Sequence, residues 1–344
     1  MTLYLPTATE WETEDPVAEG WNPAALREAV DFARTHHSSA FLIVQNGRIL
    51  TENYWSPAIE DLAPPLRRGY ENMHRDVLAS GQPVEDVASV QKSVTAVLAA
   101  IAKQKGLLDY ADPFAKHLGE GWSKASPVQE GAITIRHVMS MTSGLSDELE
   151  FEAAPGTQWR YNTPVYQRLV RAIGASAGIH FEEVTRAWLT ERIGMHNTRW
   201  IARIWSGDPN FLGLSTTARD LARFGLLVLN GGRWGKEEIV DMDLLEELHK
   251  PSQALNPAYA LLWWLNGSEM HQRPANSDPV EGPLIPSAPA DTIAALGALD
   301  RKLYIVPSQR LVIVRLGALA SATMEPARSG FDEELWRRLY EAIS

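Results

Sequence analysis

The spacing of apolar residues changes twice along the chain. Near the start, Ala25–Ala33 keeps an apolar stripe of helical period, with Asn22 placed to cap it and Pro23 in its first turn. Two β-rich runs follow, Phe41-Leu42-Ile43-Val44 and Arg48-Ile49-Leu50-Thr51, separated by Asn46-Gly47, the pair that tight hairpin turns favour. Residues 56–84 are polar and proline-rich and read as a long loop, which in a compact domain often carries function. From about Asp86 to His249 helical spacing takes over. Val90, Val94, Val97, Leu98 and Ile101 share one face of a helix that Gly106 ends, and further helical stretches begin at Ile135, Pro164, Phe181 and Thr217. After about Pro257 strand patterning returns in Tyr259–Leu265, Asp291–Leu296, Lys302–Val306 and Arg310–Leu316, and Asp332–Ile343 closes the chain as a helix.

Short strands at both ends, joined by hairpin-like turns, with helices between them predict an α+β fold. The expectation is one mainly antiparallel sheet built from both chain ends, flanked by N- and C-terminal helices, with an all-helical lobe inserted. The boundaries are residues 20–85 and 255–344 for the α/β lobe and 86–254 for the helical lobe. No repeat of 20–50 residues and no low-complexity tract interrupts this order.

Composition narrows the function. The 344 residues are 45% hydrophobic and 22% charged, ordinary for a folded protein. Acidic residues outnumber basic ones 43 to 32, a net charge of -11, which is the wrong balance for general nucleic-acid binding. The absence of cysteine removes disulfides, thiolate metal sites and a cysteine nucleophile. The N-terminal stretch has neither a basic nor an apolar signal region, and no apolar run is long enough to span a membrane, so a cytoplasmic protein is expected. The histidines show no metal-binding spacing, and there is no Gly-x-Ser-x-Gly elbow or glycine-rich phosphate loop. Neither a metal nor a cofactor is expected.

Ser89-Val90-Gln91-Lys92 is the chain's one Ser-x-x-Lys sequence. With 22 serines and 8 lysines, chance alone gives about half a match. Its position says more. Ser89 opens an apolar-striped helix, and Lys92 follows one turn later on the same face. A lysine in the first turn opposes the helix dipole, which together with burial lowers its pKa, and a lysine made partly neutral can accept a serine proton. The plainer alternative is a capping serine followed by a solvated lysine. Tyr161 lies in a connection between the turn Pro155-Gly156-Thr157 and a helix opened by Thr163-Pro164. A phenol near an ammonium can have a depressed pKa and relay protons, although a lone tyrosine is more often a loop anchor. Gly297-Ala298 ends an expected strand, where a backbone N–H can help hold an oxyanion. Trp263-Trp264 fits a pocket wall or a core, and Gly213–Thr217 fits a helix entry capped by Ser215 or Thr217.

Taken in order, SVQKSVTAVL, TIRHVMSMTSGL, PGTQWRYNT, GLSTTARDLARFG, YALLWWL and LYIVPSQRLVIVRLG resemble the serine β-lactamase and penicillin-binding-protein-like family. The branch is that of class C β-lactamases, family VIII carboxylesterases and 6-aminohexanoate-dimer (nylon-oligomer) hydrolases, and the likeness spans about Phe41 to Leu316. It implies an α/β lobe and a helical lobe with the active site between them. The first motif maps to Ser89 and Lys92, the second to Tyr161 and the third to about Leu296-Gly297-Ala298. The backbone N–H groups of Ser89 and Ala298 then form the oxyanion hole, and Asn162, Thr163, Leu296 and Gly297 become candidate substrate contacts. Two positions depart from the family. The usual Tyr-x-Asn is Tyr161-Asn162-Thr163, with Thr163 in the asparagine's place. The cation that opens the third motif in β-lactamases is replaced by Leu296, although Arg301 stands near enough in sequence to restore a charge.

The resemblance therefore implies a serine hydrolase acting on an ester or linear amide of a small molecule, with Ser89 as nucleophile and Lys92 and Tyr161 exchanging its proton. A β-lactamase or D-amino-acid peptidase of the same fold is the first alternative. A catalytically silent binding protein is the second.

Overall fold

A computed structural model describes residues 3–208, 211–274, 276–320 and 330–343. Along the chain come helix α1 (Pro23–Thr35), strands β1 (Ser38–Gln45) and β2 (Arg48–Tyr54), helix α2 (Pro64–Met73), strands β3 (His74–Val77) and β4 (Pro83–Asp86), and helix α3 (Gln91–Gln104). Short helices lead to α4 (Thr163–Ala177), then β5 (Arg199–Ala202), β6 (Leu212–Thr216) and helix α5 (Ala218–Leu229). Strands β7 (Trp264–Leu265), β8 (Ile293–Gly297), β9 (Arg301–Val306) and β10 (Leu311–Gly317) precede the closing helix α6 (Phe331–Ile343).

Six of these strands form one antiparallel sheet in the order β2-β1-β10-β9-β8-β7. The first strand and the last are therefore neighbours, with Val44 opposite Val312 and Phe41 opposite Arg315. Both are buried along nearly their whole length because helices cover each face: α1 and α6 pack together on one side, and α5 lies on β1, β9 and β10 on the other. Helix α5 approaches so closely that a side chain at Gly225 would meet Val312 at 2.6 Å. The Asn22 side chain caps α1, accepting from Ala24 N at 2.9 Å, and Thr217 caps α5.

The structure bears out the β-lactamase-like α+β class and differs from the sequence reading in detail. Residues 56–84 are not one loop. Pro64 and Pro65 look like breakers, but they occupy the first turn of α2, where no N–H is lost to the helix ladder. The charged Glu85-Asp86 pair, polar in sequence, is wholly buried at the end of β4. The expected helix entry at Gly213–Thr217 does lead into α5 through the Thr217 cap, but Leu212–Thr216 is itself a strand and joins β3, β4 and β5 in a second sheet of order β3-β4-β6-β5. Tyr259–Leu265 is not a continuous strand. Leu262 has φ +64°, which turns the backbone, and only Trp264–Leu265 pairs with β8.

Candidate active site

The candidate nucleophile sits on a bend between β4 and α3. Val87 N donates to Leu214 O at 2.9 Å, which ties the end of β4 to β6. Ala88 then takes φ +50°, a conformation costly for a residue with a side chain, and its N–H is held by Asp86 Oδ1 at 2.9 Å. Ser89 follows, half-buried, and the helix proper starts at Gln91.

Lys92 lies one turn on and is 2% exposed. Its Nζ is 3.0 Å from Ser89 Oγ and 3.1 Å from Thr163 Oγ1. The amine also lies 4.7 Å from the centre of the Tyr161 ring and 4.8 Å from that of Tyr166. Among the described residues no carboxylate pairs with it. Burial, and then the positive charge of Arg203, hold its pKa well below the usual lysine value. A lowered pKa favours the neutral amine, the form that can accept a proton from a hydroxyl.

Tyr161 presents its hydroxyl to Ser89, but its pKa moves the opposite way from the sequence expectation. Burial raises it, and the contact with Ser89 only partly offsets that. Apart from the Lys92 amine, the phenol is packed among rings: it stacks on Trp264 with centroids 6.2 Å apart and meets Tyr259 edge-on at 6.0 Å. Trp159, Tyr259 and Trp264 are each almost fully buried, so they form a rigid wall behind Tyr161. Trp263 belongs to the core, stacked on Phe224.

Asn162 and Thr163 divide differently from the expectation that both meet substrate. Asn162 is 2% exposed; its amide nitrogen donates to Leu145 O and Ser146 O at 2.8 and 2.9 Å, and its oxygen accepts from Val165 N at 2.9 Å. It caps α4 and fixes the chain beside it, with no group left for a ligand. Thr163 turns to Lys92.

The third segment closes on the nucleophile bend. A side chain at Gly297 would stand 2.5 Å from Val87 O and 3.2 Å from Val90, so only glycine allows β8 to pack this tightly. Leu296 is 8% exposed and pairs with Lys302, whereas Ala298 is exposed at the strand end. Two buried arginines brace the turn that follows. Arg301 Nη1 donates to Ala298 O at 3.4 Å, and Arg315 Nη1 donates to Leu299 O at 2.8 Å and Asp300 O at 3.1 Å.

Arg301 does not supply the charge that Leu296 lacks. It is completely buried, and its Nη2 donates to Glu85 Oε2 at 3.1 Å. Burial pushes the Glu85 carboxyl up, but Arg301 and the hydrogen bonds from its neighbours outweigh this and hold it at about 2. Lys302, the other cation of the β8–β9 hairpin, is engaged by Asp332 at 2.7 Å and Asp300 at 3.2 Å.

Sequence reasoning missed Glu85, Asp86, Gln91, Tyr166, Arg203 and Arg315. A signal existed for some of them: Glu85-Asp86 stands two residues before the Ser-x-x-Lys sequence, and Arg315 interrupts an otherwise apolar strand. Among the described residues no group of three or more metal-ligating side chains is gathered, and no helix is long and apolar enough to cross a membrane.

A sequence search of curated proteins finds no match. Solved structures share the fold at low identity. A provisionally assigned 6-aminohexanoate-dimer hydrolase from Bacillus anthracis is 19% identical with a TM-score of 0.66, over 91% of this chain and 81% of that one. EstCE1, a hydrolase with promiscuous acyltransferase activity, is 14% identical with a TM-score of 0.62, over 92% and 97%. A penicillin-binding protein from Bacillus halodurans is 14% identical with a TM-score of 0.61, over 93% and 100%. The sequence profile of the Beta-lactamase family matches residues 24–321, most of the chain, and the protein belongs to that family.

Proposed function

We propose that the protein is a serine hydrolase that cleaves esters or linear amides of small molecules through an acyl-enzyme on Ser89. The observation that carries this reading is the buried Lys92 amine, 3.0 Å from Ser89 Oγ, with a depressed pKa. Neutral Lys92 takes the proton from Ser89 as Oγ bonds to the substrate carbonyl carbon. The carbonyl oxygen gains the negative charge and is held by the backbone N–H groups of Ser89 and Ala298. When the carbon–leaving-group bond breaks, the proton passes from Lys92 to the departing oxygen or nitrogen, directly or through the Tyr161 hydroxyl. Water then attacks the acyl-enzyme, gives its proton to Lys92, and the acid leaves as Ser89 is reprotonated. The raised pKa of Tyr161 favours a neutral phenol that donates and relays over a resting phenolate base.

The ester and amide readings draw support from the hydrolases among the structural neighbours. A fluorophosphonate probe tests the centre of the proposal. Intact-mass analysis should show one adduct on the wild-type chain and none on Ser89→Ala. A probe that leaves the folded wild-type protein unmodified overturns it.

A further inference from the structure

We propose that Arg203 is a positioning residue for the nucleophile bend: clamped to Asp86 and Gln91, it fixes the backbone that presents Ser89 and keeps a permanent cation beside Lys92. The proposal rests on the reading of Ser89 and Lys92 as nucleophile and base.

Arg203 follows β5, more than a hundred residues beyond Ser89, and is 5% exposed. It grips Asp86 with two parallel bonds, Nε to Oδ2 at 2.7 Å and Nη2 to Oδ1 at 2.8 Å. The same Nη2 donates to Gln91 Oε1 at 3.2 Å. Gln91 is in turn tied to β6, accepting from Leu214 N at 2.9 Å and donating to Leu212 O at 3.2 Å. One guanidinium thus holds a residue on each side of Ser89. Asp86 Oδ1 also accepts from Ala88 N, so the strained φ of Ala88 is fixed by a carboxylate that Arg203 itself immobilises. Such strain persists only where the surroundings over-determine it. The pair also dictates a glycine: a side chain at Gly213 would stand 2.2 Å from Asp86 Oδ2 and 2.7 Å from Arg203 Nε.

The orientation of the pair matters to Lys92. Around the amine, the bend before α3 contributes Ser89, the 161–166 segment contributes the hydroxyl of Thr163 and the rings of Tyr161 and Tyr166, and Tyr259 lies beyond them. None of these groups carries a charge at neutral pH. After burial, Arg203 is the group that disfavours the ammonium form. The carboxylate of Asp86 is engaged by Arg203 and by the N–H of Ala88, with Arg75 Nη2 a further 3.9 Å contact.

The chain has eight lysines, so NMR titration of isotopically labelled lysine side chains resolves Lys92, identified by the signal lost in Lys92→Met. The wild-type Lys92 signal should titrate far below the others. In the double variant Asp86→Asn/Arg203→Met, which removes both charges of the buried pair together, its midpoint should rise by about one pH unit, whereas Arg203→Lys should leave it near the wild-type position. Asp86→Asn alone keeps the cation and strips its counter-charge, so it should move Lys92 lower. The acid limb of fluorophosphonate labelling should follow the same shifts. An unchanged midpoint in the double variant, or an upward move in Asp86→Asn, overturns the proposal. If the double variant does not fold, the two single variants decide. The titration needs no turnover, so a protein that shows these shifts but resists the probe strikes the hydrolase reading and not this one.

Discussion

Thr163 Oγ1 lies 3.1 Å from Lys92 Nζ, so the amine that faces Ser89 is held by two hydroxyls and, among the described residues, by no carboxylate. A carboxylate there would favour the ammonium form, whereas a hydroxyl orients the amine and leaves its proton affinity low. Thr163→Val should lower kcat/KM for p-nitrophenyl butyrate about tenfold, the scale of one lost hydrogen bond, and Thr163→Ser should restore most of it. A wild-type rate in Thr163→Val would show that Ser89 alone orients the amine.

Ser89→Ala should remove nearly all hydrolysis and leave the far-ultraviolet spectrum unchanged. Lys92→Ala should cut kcat by about 10²–10⁴-fold, the usual loss when a general base is deleted. Steady-state kinetics on p-nitrophenyl esters measure both.

Lys92 should cost the fold stability. Its folded-state pKa lies below the unfolded value, so between the two the unfolded chain binds the extra proton. The cost is small near pH 10 and grows as pH falls toward the folded pKa. Lys92→Met should therefore raise Tm at pH 7 by at least about 3 °C while abolishing turnover, and the gain should shrink in melts at pH 9.5. An equal gain at both pH values would mean that the lysine is charged in the fold.

Gly297→Ala places a methyl 2.5 Å from Val87 O and must push β8 away from the nucleophile bend. The expected result is a kcat at least about tenfold lower, since a donor displaced from an oxyanion loses much of its effect. Burst kinetics with p-nitrophenyl acetate would place the loss in acylation.

Neutral short-chain esters, and linear amides, should be turned over better than penicillins or cephalosporins. Leu296 provides no cation, and both Arg301 and Lys302 are committed to buried carboxylates, so the β8–β9 hairpin offers nothing to the carboxylate of a β-lactam. Nitrocefin and p-nitrophenyl butyrate assayed side by side decide this. A nitrocefin kcat/KM equal to or above the ester value overturns it.

The parts of this site that the sequence displays are those written locally. Ser89 and Lys92 share a helix face because they are three residues apart, and the Phe41–Val44 and Leu311–Val314 runs announce central strands by their unbroken apolar sequence, which the structure buries. Long-range pairing is invisible at that level. Asp86 is exposed by composition and buried by its contact with Arg203, and nothing near either residue names the other. The same blindness explains residues 56–84, where prolines at a helix start and charges at a buried strand end imitate a loop. Tyr161 shows the limit for electrostatics: its position is legible from the motif, but its raised pKa comes from burial in a ring cluster that includes Tyr259 and Trp264, which sequence order keeps about a hundred positions away.

Because β1 lies between β2 and β10, the centre of the main sheet joins segments separated by about 270 residues, Val44 opposite Val312. A ribosome adding 5–20 residues per second takes on the order of 15–50 seconds to cover that distance. Throughout that interval the nascent hairpin of β1 and β2 exposes the bare edge of an intensely apolar strand, Phe41-Leu42-Ile43-Val44, with its eventual neighbour still unmade. The price of building the sheet from both ends is thus a period of vulnerability during synthesis, and chaperone dependence in the cell should centre on that hairpin.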